Sequence, residues 1–124
     1  MENCLFCKII KGEVQSDKVY EDDYVYCFKD INPVTPIHLL VIPKKHINSF
    51  ADLTNEDREY VWKIHEAINK MAEELGFKSN GYRVIVNCGK DSGQEVMHLH
   101  YHVLARNKFG NKNYIYRQKI LKST

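Results

Sequence analysis

His98-Leu99-His100-Tyr101-His102-Val103-Leu104 alternates imidazole with apolar side chains. A period of two is the strand period. It sets the three rings on one face, about 6.6 Å apart, and Leu99, Tyr101 and Val103 on the other. A last strand over Met97 to Ala105 is therefore expected. An imidazole face can bind a metal, hold an anion as imidazolium, or supply a nucleophile. A solvated face that happens to use histidine is the plain reading for one ring, and fits three in strict alternation far less well.

Just upstream runs Asn87-Cys88-Gly89-Lys90-Asp91-Ser92-Gly93-Gln94. Its glycines let backbone approach a ligand, and successive N–H groups can form an anion-holding nest; alone, such a loop is more often just a turn. Beside the histidine strand it suggests a phosphate site. Before it, Gly81 to Asn87 reads as a strand. Val61, Ile64, Ile68, Met71 and Leu75 step by three and four, which predicts one long helix, with Thr54 and Asp57 as its capping box and Gly76 as its stop. Ile37 to Ile42, ended by Pro43, reads as a strand buried on both faces. Lys18 to Glu21 and Tyr24 to Phe28 read as extended, and Leu5 to Lys11 as a short helix ended by Gly12. That order favours an α+β fold, a mostly antiparallel sheet of about five strands with one long and one short N-terminal helix.

At 124 residues the chain is expected to be one domain, 1–124, with a core over about 4–105 and a basic, aromatic tail over 106–124 containing Phe109, Tyr114 and Tyr116. Eighteen Lys and Arg against sixteen Asp and Glu leave a net charge of +2. Such near-balance argues against binding to nucleic acid or an anionic membrane by bulk charge. The longest apolar run, Leu39 to Pro43, is far short of the roughly twenty residues that span a bilayer. Met1-Glu2-Asn3-Cys4 lacks the basic start and apolar core of a signal peptide. A cytoplasmic location is expected. In that compartment Cys4, Cys7, Cys27 and Cys88 are thiols or metal ligands rather than disulfides. Cys4-Leu5-Phe6-Cys7 has the spacing that clamps one zinc, yet by itself it is half a tetrahedral site, open equally to inert thiols or a redox pair. Cys27 and Cys88 read as packing residues, and His65 as solvated.

The stretch His98 to Leu104 resembles the His-φ-His-φ-His-φ-φ signature of the histidine triad (HIT) superfamily. The likeness extends to Phe6-x-Lys8-Ile9-Ile10, Val19-Tyr20-Glu21-Asp22-Asp23, Asp30-Ile31-x-Pro33, His38-x-Leu40-Val41-Ile42-Pro43-Lys44-Lys45-His46, Gly81-Tyr82-Arg83 and Gly93-Gln94. Length and the Pro-Lys-Lys-His segment look most like the Hint branch, the histidine triad nucleotide-binding proteins.

The resemblance implies a purine nucleotide-binding hydrolase or nucleotidyl transferase. Such an enzyme cleaves nucleoside phosphoramidates or aminoacyl-adenylates through a nucleotidyl-histidine. His100 matches the nucleophile, and His102 and His38 the histidines that contact phosphate oxygens and assist proton movement. Asp30 matches the carboxylate that holds the ribose hydroxyls. Phe6, Ile9, Phe28, Ile31 and Leu40 match the purine walls; core packing is the plainer reading of those five. Asn87, Gly93 and Gln94 match the phosphate loop. Glu95 stands where the branch commonly has serine: a carboxylate there points outward or alters leaving-group preference. Some bacterial members bind zinc through the positions of Cys4, Cys7, His46 and His98, which implies a structural Cys₂His₂ zinc here. A homodimer is implied too, with Val61, Ile64 and the strand before the phosphate loop as interface candidates. The branch's C-terminal tryptophan segment is absent, Trp62 being the only tryptophan. Two further readings stay open: a Fhit-like dinucleoside polyphosphate hydrolase, and a non-catalytic, zinc-stabilised nucleotide-binding scaffold.

Overall fold

A computed structural model describes residues 3–106; the readings of the first two residues and of the tail with Phe109, Tyr114 and Tyr116 lie outside them. Helix α1 (Leu5–Ile10) is followed by β1 (Lys18–Glu21), β2 (Val25–Lys29) and β3 (Ile37–Pro43). Then come α2 (Arg58–Glu74), β4 (Tyr82–Ile85) and β5 (Tyr101–Ala105). The strands form one antiparallel sheet in the order β1-β2-β3-β5-β4. This is the expected α+β architecture, with two strands distant in sequence, β3 and β5, at its centre.

Alternation along β3 divides the interior in two. Leu39 and Val41 face α2 and pack with Ile64, Ala67, Ile68 and Met71, together with Leu99, Tyr101 and Val103. Leu40 and Ile42 face the other way and join Phe6, Ile9, Tyr26 and Phe28 under α1. Each such side chain, when fully buried, contributes roughly 1.5–3 kcal/mol of transfer free energy. One sheet face is thus sealed by the long helix; the other, under α1, is the face that carries the histidines.

The Asp57 carboxylate accepts the Thr54 N–H at 3.0 Å; the expected capping pair forms, but it closes a 3₁₀ turn, Asn55–Asp57, that leads directly into α2. Gly76, at φ +77°, turns the chain out of the helix, and Arg106 Nη2 donates to the Leu75 and Gly76 carbonyls at 3.1 and 3.3 Å. The buried stripe of α2 differs at its ends from the expected one: Leu75 is 40% exposed, while Ala67 and Ala72 fill the core. A stripe that steps by three and four drifts around a helix of 3.6 residues per turn, so its last member leaves the core face. Ile64, an interface candidate from the sequence, is wholly buried between helix and sheet and is a core residue.

The last strand is shorter than expected. Its ladder with β3 runs from Ile37↔Ala105 to Val41↔Tyr101 and stops before His98 and His100. Continuing the register would oppose Leu99 to Pro43, which has no N–H to give. The Pro43 carbonyl instead accepts the His98 ring at 2.9 Å, and the Leu99 N–H turns to the Ile47 carbonyl at 2.6 Å. Among the described residues no helix is long and apolar enough to cross a membrane.

Candidate functional site

Although only His102 of the three lies within the ladder, the imidazoles form a continuous buried row. His100 and His102 have ring centroids 5.3 Å apart, and His102 lies 5.2 Å from His38 of β3. Phe6 of α1 presents edge contacts to His98 at 5.9 Å and to His100 at 5.1 Å. His38 joins because Leu40 pairs with His102 across the β3–β5 ladder; the side chain two residues earlier on the same face of β3 then reaches that ring.

Fixed hydrogen-bond partners assign the protons. A carbonyl only accepts, so the 2.7 Å contact from His100 Nδ1 to the His98 oxygen puts the proton on Nδ1, leaving the lone pair of a neutral ring on Nε2. The Val34 N–H donates to His38 Nδ1 at 3.2 Å, so a neutral His38 carries its proton on Nε2. That proton is donated to His102 Nδ1 at 2.9 Å, and His102 then bears its own on Nε2. Burial pulls both rings toward neutrality. His38 falls below the ordinary histidine value despite Asp30 beside it, with Oδ2 3.3 Å from Nε2. His102 falls to about 3, again through burial first and then through His100 and His38. Asp30, His38 and His102 are close enough to share a metal. However, the Val34 N–H occupies His38 Nδ1, so a metal at Nε2 would leave that ring no nitrogen for a proton and make it an anion.

Among the described residues, three buried side-chain atoms have no hydrogen-bond partner: Asp30 Oδ2, Asn87 Nδ2 and His102 Nε2. One is an acceptor and two are donors. Each costs on the order of 1–3 kcal/mol if left unsatisfied, so such atoms call for a ligand or a water. Asp30 follows β2; its N–H donates to the His38 carbonyl and its Oδ1 accepts the Asn32 N–H, which leaves Oδ2 turned toward the histidines.

The loop between β4 and β5 is pinned by Gln94. Its Oε1 accepts the Gly89 N–H at 2.8 Å, and its Nε2 donates to the Asn48 and Val96 carbonyls at 2.9 and 3.0 Å. Gly93 sits at φ +89°, left-handed backbone that favours glycine. Glu95, next along, is exposed. Of the five expected purine walls, Phe6, Ile9, Phe28 and Leu40 are buried in one apolar cluster, whereas Ile31 is 88% exposed on the loop after Asp30.

Cys4, Cys7, His46 and His98 converge, one ligand atom from each lying within 4.8 Å of the others. Cys4 Sγ is 3.4 Å from His98 Nδ1, and Cys7 Sγ lies 3.3 and 3.6 Å from the Nδ1 atoms of His46 and His98. A tetrahedral centre with metal–sulfur distances near 2.3 Å and metal–nitrogen near 2.05 Å has sulfur–nitrogen edges of about 3.6 Å. The four groups therefore fit a metal. Both rings are held for it, since His98 Nε2–H donates to the Pro43 carbonyl and His46 Nε2–H to Asn48 Oδ1 at 2.7 Å, which turns each Nδ1 to the thiols. Asn48 and the Val34 N–H escaped the sequence reading; no local pattern marks either. Cys27 is buried in the helix-side core, where burial pushes its thiol well up. Cys88 is half-buried, and His65 is exposed with its ring 5.6 Å from that of Tyr101.

A neutral buried histidine links stability to pH. Unfolding moves His102 from about 3 to its ordinary 6.5, so below pH 6.5 the unfolded chain binds the extra proton. Stability contributed by the neutral ring is therefore complete above pH 6.5 and lost as pH falls from there toward 3. The expected slope is about 1.4 kcal/mol per pH unit in mid-window. Urea midpoints at pH 7, 6, 5 and 4 measure it. His102→Gln should flatten the curve by that amount, and parallel curves for the two proteins would sink the assignment.

A model of the HIT domain matches residues 11–109. A histidine triad protein from Clostridium difficile is 55% identical with a TM-score of 0.86, covering 90% of this chain and 96% of its own. A HIT family hydrolase from Clostridium thermocellum is 49% identical with a TM-score of 0.87, at 90% and 97% coverage. The purine nucleoside phosphoramidase of Escherichia coli K12 is 39% identical over 109 residues, 88% of this chain and 92% of that enzyme. With the triad, the domain match and these relatives together, the chain belongs to the HIT family.

Proposed function

We propose that this protein is a purine-nucleoside phosphoramidate hydrolase or nucleotidyl transferase in which His100 is the nucleophile. The observation that carries this reading is the set of partnerless buried atoms, Asp30 Oδ2, Asn87 Nδ2 and His102 Nε2. One acceptor and two donors suit a ribose hydroxyl and phosphate oxygens respectively. The exposed Ile31 beside Asp30 offers apolar surface to a base.

In this reading His100 Nε2 attacks the α-phosphorus while its Nδ1–H stays on the His98 carbonyl. The phosphorus–nitrogen bond to the leaving amine breaks, the departing amine takes its proton from water, and His102 Nε2–H donates a hydrogen bond to a phosphate oxygen. His38 Nε2–H, held beside Asp30 Oδ2, donates to His102 Nδ1 and so keeps the His102 proton on Nε2, facing the phosphate. Asn87 and the backbone of Gly93 and Gln94 bind phosphate oxygens, where donors stabilise the charge of the transition state. Water then cleaves the nucleotidyl-histidine to nucleoside monophosphate and free His100. Phe6, Ile9, Phe28 and Leu40 support the base from beneath.

Cys4, Cys7, His46 and His98 would hold zinc, whose four protein ligands make it a structural clamp between α1 and the triad segment. The reading also includes a cytoplasmic homodimer. Edge strand β4, with Val84 41% exposed, and Trp62 of α2, 56% exposed, support an association surface.

The test is to quench the protein with acid during turnover of adenosine phosphoramidate and map the adduct by mass spectrometry. Nucleotidyl label on His100 is expected; label on another residue, or hydrolysis with no covalent species, overturns the mechanism.

A further inference from the structure

Cys27 is sealed in the helix-side core, whereas Cys4 and Cys7 stand one helical turn apart at the start of α1. A turn of helix sets Cα atoms three residues apart at about 5 Å. That lies inside the span of roughly 4.4–6.8 Å that a disulfide bridges. The sulfurs are already turned together. Cys4 Sγ accepts the Cys7 N–H at 3.3 Å, and the two Sγ atoms lie within 4.8 Å of each other. Cys7 is buried, but Cys4 is half-buried and lines a surface cleft of about 530 Å³ beside Leu5 and Met97, which are 44% and 48% exposed. A small oxidant therefore reaches Cys4 from solvent and finds Cys7 behind it.

We infer that Cys4 and Cys7 form a reversible oxidation site for hydrogen peroxide, and that its closure into a disulfide opens the clamp between α1 and the triad segment. The Cys4 sulfur attacks a peroxide oxygen: the sulfur–oxygen bond forms, the oxygen–oxygen bond breaks, and hydroxide leaves a sulfenic acid on Cys4. The Cys7 sulfur then attacks the Cys4 sulfur, the sulfur–oxygen bond breaks, and a second hydroxide leaves. Two protons, from the thiols themselves or from solvent, turn both hydroxides to water. Two sulfurs thus give two electrons to one peroxide.

A disulfide removes both sulfur donors and leaves only His46 and His98 of the four groups that would hold zinc, too few for a closed tetrahedral site. The effect passes to the triad through contacts. Phe6 lies between the two cysteines in sequence and meets the His100 ring edge-on at 5.1 Å. His98, whose Nδ1 faces both sulfurs at 3.4 and 3.6 Å, gives its carbonyl to His100 Nδ1–H at 2.7 Å. Oxidation of the pair therefore loosens both supports of the His100 ring, and reduction restores them. This control goes beyond the hydrolase reading, and its thiol chemistry stands apart from it.

The test treats zinc-loaded protein with hydrogen peroxide beside a chromophoric zinc chelator and maps the products by peptide mass spectrometry. Release of about one zinc per chain is expected, with a Cys4–Cys7 disulfide and a melting point lower by on the order of 10 °C. Turnover of adenosine phosphoramidate should fall by roughly 10- to 100-fold. Dithiothreitol with added zinc should reverse every change. Cys4→Asp offers a carboxylate ligand but cannot form the disulfide, so it is expected to keep its metal through the same treatment; if it fails to fold, the wild-type disulfide map decides alone. Wild type that takes up no zinc, zinc retained over reduced Cys4 and Cys7, a disulfide to Cys88 instead, or release that dithiothreitol does not reverse overturns the site. Full turnover by the disulfide form overturns the control of His100. Untreated protein with no turnover overturns the hydrolase reading alone, because metal release and the disulfide are read without substrate.

Discussion

His100→Ala is expected to lower kcat for adenosine phosphoramidate by on the order of 10⁴-fold or more, at least about 5.5 kcal/mol of transition-state stabilisation. The ring is 1% exposed, its Nδ1–H is held by the His98 carbonyl, and Phe6 packs edge-on against it. Nothing beside it can take over, because His102 has its Nδ1 committed to His38 and bears its proton on Nε2. Alanine removes the proposed attacking nitrogen and leaves Asp30, Asn87 and His102 in place. Binding of AMP, followed by calorimetry, should therefore stay within about tenfold of wild type, since a nucleophile's loss falls on the transition state rather than on ground-state binding. That pairing separates an enzyme from a scaffold. Residual turnover above a few per cent of wild type would remove His100 from the nucleophile's role.

The second large effect concerns the Cys4, Cys7, His46 and His98 cluster. Protein purified without added zinc should contain close to one metal per chain, and Cys4→Ala/Cys7→Ala should contain none. Thermal unfolding of the double variant is expected on the order of 10 °C lower, which for a chain of this size corresponds to about 3 kcal/mol. Activity should fall as well, by roughly 10- to 100-fold, the usual cost of losing groups that orient a reacting centre. The route is short: Phe6 lies between the two thiols in sequence and against His100 in space, and the same His98 that supplies Nδ1 to the cluster supplies the carbonyl that orients His100. A metal ratio near zero in the wild type, with an unchanged melting point in the double variant, would strip the cluster of that role.

Much of the fold was legible because it is locally encoded. The stepping of Ile64, Ile68 and Met71 marked α2, and the capping pair Thr54 and Asp57 stands where the sequence put it. The run Ile37 to Ile42 was recognisable as a doubly buried strand because its apolar residues do not alternate with polar ones. Local pattern failed where a partner intervened. The last strand is short because Pro43, far away in sequence, has no N–H for it. Leu75 and Ile64 were equivalent members of one stripe, and the drift of that stripe around the helix put one at the surface and left the other in the core.

The candidate site divides the same way. Alternation in the segment His98 to His102 and the two-residue spacing of Cys4 and Cys7 belong to the sequence alone, since period and spacing need no partner to be read. Tertiary structure decided what those groups meet. The register of β3 against β5 brought His38 to His102, and the turn after β2 aimed Asp30 at both. The Val34 N–H and the His98 carbonyl set where each imidazole carries its proton. These are contacts between residues far apart along the chain or made by backbone atoms common to every residue type, so no local pattern of side chains encodes them.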